Sequence, residues 1–120
     1  MAKVLVHIHT GPENATKAAL GFLVAKTALE EGHALTMFLA GDAVNLLRKD
    51  TVEVLNGLGT GSLSAHVGAV SKSDAPIFYS TMSAKVRGLT PDVLVIGRAS
   101  PATPAKLLEL AAESDFVLTY

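Results

Sequence analysis

Val4–His9 (VLVHIH), the turn Thr10-Gly11-Pro12-Glu13-Asn14, the run Ala15–Glu31 (ATKAALGFLVAKTALEE) and Leu35–Ala40 (LTMFLA) together decide the fold. The first and last segments are short and apolar, bounded by turn residues, as buried strands are. The middle run is too long for a strand. Asn14 stands at its N-cap, where a side-chain oxygen accepts from a free N–H of the first turn. Gly32 stands where a left-handed residue would close it. Strand, helix and strand in that order make a crossover unit of a parallel sheet. The helix is apolar nearly all round, with Ala18, Ala19, Leu20, Phe22, Leu23, Val24, Ala25 and Ala28. It is therefore expected to pack on the sheet and on a second partner as well.

The alternation continues along the chain. Gly41-Asp42 opens a short helix through Leu46 and Leu47, and the stretch from Lys49 to Gly61 has no clear period. Its glycine-rich part, Gly57-Leu58-Gly59-Thr60-Gly61-Ser62, has neither the lysine nor the spacing of a phosphate-binding loop and reads as a flexible connection. Ser62 to Lys72 is a helix with Leu63, His66, Val67 and Val70 at i, i+3, i+4 and i+7. Pro76–Tyr79 (PIFY) is a third strand, and Met82–Arg87 a short helix ended by Gly88 and Pro91. Val93–Ile96 (VLVI) is a fourth strand. Thr103-Pro104 starts a helix whose inner stripe is Leu107, Leu108 and Ala111, and Phe116–Thr119 is a fifth strand. The prediction is one domain over residues 1–120, a three-layer α/β/α fold around a mainly parallel five-stranded sheet.

Composition removes several functions. The formal net charge is −1 and no basic stripe exists, which argues against nucleic acid. No apolar run is long enough to span a bilayer, so no membrane is expected. Met1-Ala2-Lys3-Val4 enters a strand without a cleavage signature, and the chain has no cysteine. Both fit a cytoplasmic, reducing location. Hydrophobic residues make up 49% and charged ones 18%, a surplus that favours a homo-oligomer.

Loops after parallel strands gather at one sheet edge, where open α/β sheets bind ligands. That edge is expected to collect His9, Thr10, Asp42, Ser80, Ser83 and Arg98, a set suited to a small polar or anionic molecule. Each also has a simpler role. Ser80 or Thr81 and Asp42 are natural N-caps, and Arg98 an ordinary solvated cation. His7 and His9 share a strand face and could bind a metal ion only with a third ligand from elsewhere. His66 lies on an apolar stripe and reads as packed; His33, in a turn, reads as solvated. No cofactor motif is present. No base is placed to activate a serine, so serine hydrolysis is not expected.

Three groups of residues carry a family likeness: Thr10-Gly11-Pro12-Glu13, Glu31-Gly32-His33 before LTMFLA, and Gly41-Asp42-Ala43-Val44. A fourth is the segment Ser80 to Leu89, with its closing Arg87-Gly88-Leu89. In these the chain resembles the DsrE/DsrF-like family over essentially its whole length. The resemblance implies the parallel five-stranded sheet, assembly into trimers or hexamers and, in sulfur-relay members, a persulfide-carrying cysteine on the loop at Ser80. A hydroxyl cannot carry persulfide, since thiol exchange needs a thiolate. Three readings follow: a non-catalytic or small-ligand-binding homo-oligomer; an accessory subunit of a sulfur-relay complex; and an enzyme using His9 with Asp42, with or without a metal.

Overall fold

The computed structural model describes residues 1–120. Five parallel strands, β1 (Lys3–Ile8), β2 (Ala34–Leu39), β3 (Ile77–Ser80), β4 (Ser100–Ala102) and β5 (Phe116–Thr119), stand in the order β4-β3-β2-β1-β5. Five α-helices connect them: α1 (Ala15–Glu30), α2 (Lys49–Val54), α3 (Leu63–Lys72), α4 (Thr81–Val86) and α5 (Pro104–Glu113). A 3-10 segment, Gly41–Leu47, follows β2. None of the helices is long and apolar enough to cross a membrane.

The order of the strands explains the layers. From β1 to β4 the chain steps in one direction across the sheet, and right-handed crossovers put α1 and α3 on one face. The return from β4 past three strands to β5 reverses direction and puts α5 on the other. Alternation then sorts the strand side chains. Val4, Val6, Ile8, Met37, Leu39, Ile77 and Tyr79 enter a core of 26 buried residues with α1 and α3. Leu5, Phe38 and Ala102 enter a core of only four, closed by Leu110 of α5. The second face of the sheet is thus thinly covered.

Local signals act as read. Asn14 Oδ1 accepts from the Lys17 N–H at 3.1 Å. Gly32, at φ 80°, lets the His33 N–H reach back to the Ala28 carbonyl at 2.9 Å, the paired closure that a left-handed residue permits.

Several expectations are corrected. The fourth strand is not Val93–Ile96 but Ser100–Ala102. VLVI packs elsewhere, against the core: Leu94 bridges Arg48, the Val95 N–H donates to the Leu47 carbonyl at 2.7 Å, and Ile96 is wholly enclosed. The true strand contains Pro101, tolerated because β4 is an edge. On α5 the inward residue is Leu110, while Leu108 is 72% exposed. The glycine-rich segment is pinned: Asn56 bridges Ser62, and Thr16 Oγ1 accepts from the Leu58 N–H at 3.0 Å. His33 is half-buried, its Nδ1 accepting from the Ala2 N–H at 3.0 Å.

Candidate functional site

The strand register assembles the site. His7 is level with Phe38, and Phe38 with Phe78. Two residues further on, continuing the same register, His9, Ala40 and Ser80 form the next row on the same face, and Ser80 pairs with Ala102. Neighbouring strands are about 4.8 Å apart, so His9 and Ser80 stand roughly 10 Å apart across Ala40. Alanine, the smallest side chain of the row, separates the imidazole from the hydroxyl, and this is the face that only α5 covers. His9 is exposed and Ser80 half-buried. No cavity of the single chain is walled by His9, Ala40 or Ser80, so this row is exposed surface rather than a pocket.

Behind His9 lies His7, ring centroids 5.6 Å apart, and the His7 ring also meets Phe38 edge-on at 5.9 Å. Its Nε2 is shielded from solvent and has no hydrogen-bond partner. Burial, with the neighbouring His9 charge second, pulls the His7 pKa below the ordinary imidazole value of 6.5. The unfolded chain therefore binds this proton more tightly than the folded one, and stability must fall as pH drops below 6.5 toward the depressed value. Denaturant midpoints measured across this window should fall with pH in the native sequence. His7→Gln should remove that part of the slope.

Ser80 caps α4: its Oγ accepts from the Ser83 N–H at 3.2 Å, leaving its own proton free to donate. Ser83 is engaged, its Oγ accepting from the Gly41 N–H at 2.9 Å and so tying α4 to the loop after β2. Thr81 donates to the Ala102 carbonyl at 3.1 Å. Thr10 is buried, 6% exposed, and belongs to the interior. Asp42 makes no cap bond; its Oδ1 receives Arg87 Nε at 3.2 Å and Nη2 at 3.0 Å. Arg87 also donates to the Ser83 carbonyl at 3.1 Å. Asp42 is thereby committed to Arg87, and no contact joins it to His9. Arg87, unassigned in the sequence reading beyond its motif, braces the loop; its place one helical turn after Ser83 was the available signal.

Arg98 is not at this edge. Its Nε and Nη2 donate to the Ala75 carbonyl at 3.1 and 3.0 Å, and Nη1 and Nη2 reach the Ser71 and Val70 carbonyls at 2.6 and 2.8 Å. It closes the C-terminus of α3, at the opposite edge of the sheet, because the fourth strand begins after Arg98 rather than ending before it. Arg98→Ala should cost about 2 kcal/mol in denaturant unfolding, since these carbonyls lose charged donors, and should leave binding at the His9–Ser80 row unchanged.

His66 is packed, as expected. It is 5% exposed, and its Nε2 donates to the Thr60 carbonyl at 2.6 Å, which leaves Nδ1 as a bare, buried acceptor. No three His, Cys, Asp or Glu residues are grouped so as to hold a metal ion.

A parallel five-stranded sheet in this order, with a loop-to-helix turn at Ser80 facing a thinly covered sheet face, defines the class. The family follows: a model of the DsrE/DsrF-like family matches residues 2–120, and the chain belongs to that family. It lacks the family cysteine. Among solved structures, the ychN protein of E. coli superposes with a TM-score of 0.81 at 18% identity, covering 100% of both chains. MTH1491 of Methanobacterium thermoautotrophicum, described as a protein of unknown function, superposes with a TM-score of 0.73 at 13% identity, again over 100% of both chains. No curated protein matches the sequence.

Proposed function

We propose that this is a ligand-binding, homo-oligomeric member of the DsrE/DsrF-like family that holds a small polar or anionic molecule on the surface between His9 and Ser80. Its own chain does not transfer persulfide sulfur. The observation that carries this reading is the row His9–Ala40–Ser80 on the thinly covered sheet face. Ser80 has a proton to donate, the exposed His9 ring offers hydrogen-bonding nitrogens, and the orphaned His7 Nε2 lies one row behind. Asp42, Ser83 and Thr10 support the loops rather than touch the ligand. Exposed Leu108 and Val117 fit burial against a neighbouring subunit, in the trimer or hexamer that the family suggests. The location is taken as cytoplasmic.

The test is to purify the protein without denaturation, release bound small molecules and compare them by mass spectrometry with those from His9→Ala and Ser80→Ala. A species present in the native protein and lost from both variants supports the reading. Identical extracts from all three contradict it.

A second reading, an accessory subunit of a sulfur-relay complex, is favoured by Met82 and Val86. They stand 73% and 80% exposed, one turn apart on α4 beside Ser80, as a surface for a partner bearing the cysteine. Capture of a cysteine-bearing sulfur-transfer protein by the native chain, lost in Met82→Glu, supports it; self-association alone argues against it. Catalysis by a His9–Asp42 pair has no such support, because Arg87 occupies Asp42.

A further inference from the structure

Helix α1 is apolar nearly all round, and the fold accounts for only part of that surface. It rests on β1 and β2, and α3 covers one flank. The other flank runs along β5, the outer strand of the sheet. There Leu23 and Val24 face Phe116 and Leu118 across a groove of about 350 Å³. Leu20 remains 37% exposed and Phe116 44%.

Along this flank Lys17, Leu20, Val24, Thr27 and Glu31 recur at alternating steps of three and four, none of them buried. That spacing makes a narrow seam of the kind two helices share, rather than the broad stripe of a helix lying on a core. Its charges are placed against the helix itself. Lys17 lies near the positive N-terminal end and Glu31 at the negative C-terminal end, where each is disfavoured by the helix dipole. The same placement is self-complementary. Lys17 and Glu31 each lie seven residues from Val24 (24 − 17 and 31 − 24). A twofold axis at Val24 sets two copies of α1 antiparallel, with Lys17 of each against Glu31 of the other and Val24 against its own copy. Leu118 of β5 lines the same groove as Val24.

We propose that a second copy of this chain docks on the groove between α1 and β5, as a twofold contact whose register is set by Lys17 and Glu31. An unrelated partner would not require end charges opposite in sign and equidistant from the centre of the seam. This contact is separate from the His9–Ser80 row and from the α5 face of the sheet.

The experiment uses the full chain with Lys17→Glu and Glu31→Lys, both at surface positions, with folding checked by circular dichroism. Sedimentation equilibrium should show self-association through this contact weakened about tenfold or more in each variant, because both cross-pairs become like-charged. Mixed in equal amounts, the two variants should associate with each other, since every seam pair in the mixed dimer is again of opposite sign. High salt should weaken that rescue. Variants that self-associate as tightly as the native chain, or a mixture that associates no better than either alone, would overturn the proposal. So would a native chain that sediments as a monomer.

Discussion

Gly11→Ala is expected to lower stability by about 3 kcal/mol, or roughly 10 °C in Tm for a domain of this size. The reason is close approach, not backbone conformation. Gly11 has φ −114°, open to any residue, but a Cβ there would lie 2.1 Å from the Asp42 carbonyl oxygen and 2.5 Å from its carbon. Both are backbone atoms, so no rotamer change relieves the clash, and the loops after β1 and β2 must separate. Those loops carry His9 and Gly41, and the Gly41 N–H is held by Ser83. The variant should therefore lose affinity at the His9–Ser80 row as well as stability. Gly68→Ala, on α3 with nothing within 4 Å of the added carbon, is the control and should be neutral or slightly stabilising. Thermal unfolding of the two variants beside the native chain checks both statements; a Gly11→Ala protein melting with the native one would show that the loops do not meet as described.

Ser80→Cys should convert a chain without thiols into one with a single, unusually reactive thiol. The side chain at this position accepts from the Ser83 N–H at the start of α4, half-exposed. Hydrogen bonding to a helix N-terminus stabilises a thiolate over a thiol and lowers its pKa below the ordinary thiol value. At neutral pH the thiolate fraction, and with it the rate with a disulfide reagent, should exceed that of Ala112→Cys on exposed α5 by roughly tenfold. Equal rates would mean that the turn at Ser80 does not favour a thiolate. A large ratio would mean that the α4 N-terminus stabilises an anion at this position.

How far the residues disclosed this beforehand varies with the element. The strand–helix–strand opening was legible because apolar runs, an asparagine N-cap and a glycine closure agree with one another. The α3 stripe Leu63, His66, Val67 and Val70 is buried as its period required. The error at VLVI has a plain cause: a short apolar run states that it is buried, not what it is buried against. Ser100-Pro101-Ala102 carries no strand signal, since proline usually argues against one and only its edge position admits it. That single shift moved Arg98 from the ligand edge to the opposite one. Ser80 and His9 were identified singly, whereas their alignment across Ala40 depends on strand order and register, which composition and period do not encode. The Asp42–Arg87 pair joins residues 45 apart, beyond any local pattern.

The fold of the DsrE/DsrF-like family is present in this chain, which has no cysteine, and the surface between His9 and Ser80 is the proposed working part. A crystal structure of the native oligomer, purified without added ligands, tests this most directly. The account predicts electron density over Ala40, within hydrogen-bonding distance of Ser80 Oγ and the His9 ring, with a neighbouring subunit closing the open side. The same surface packed solid by apolar side chains from that neighbour would contradict it.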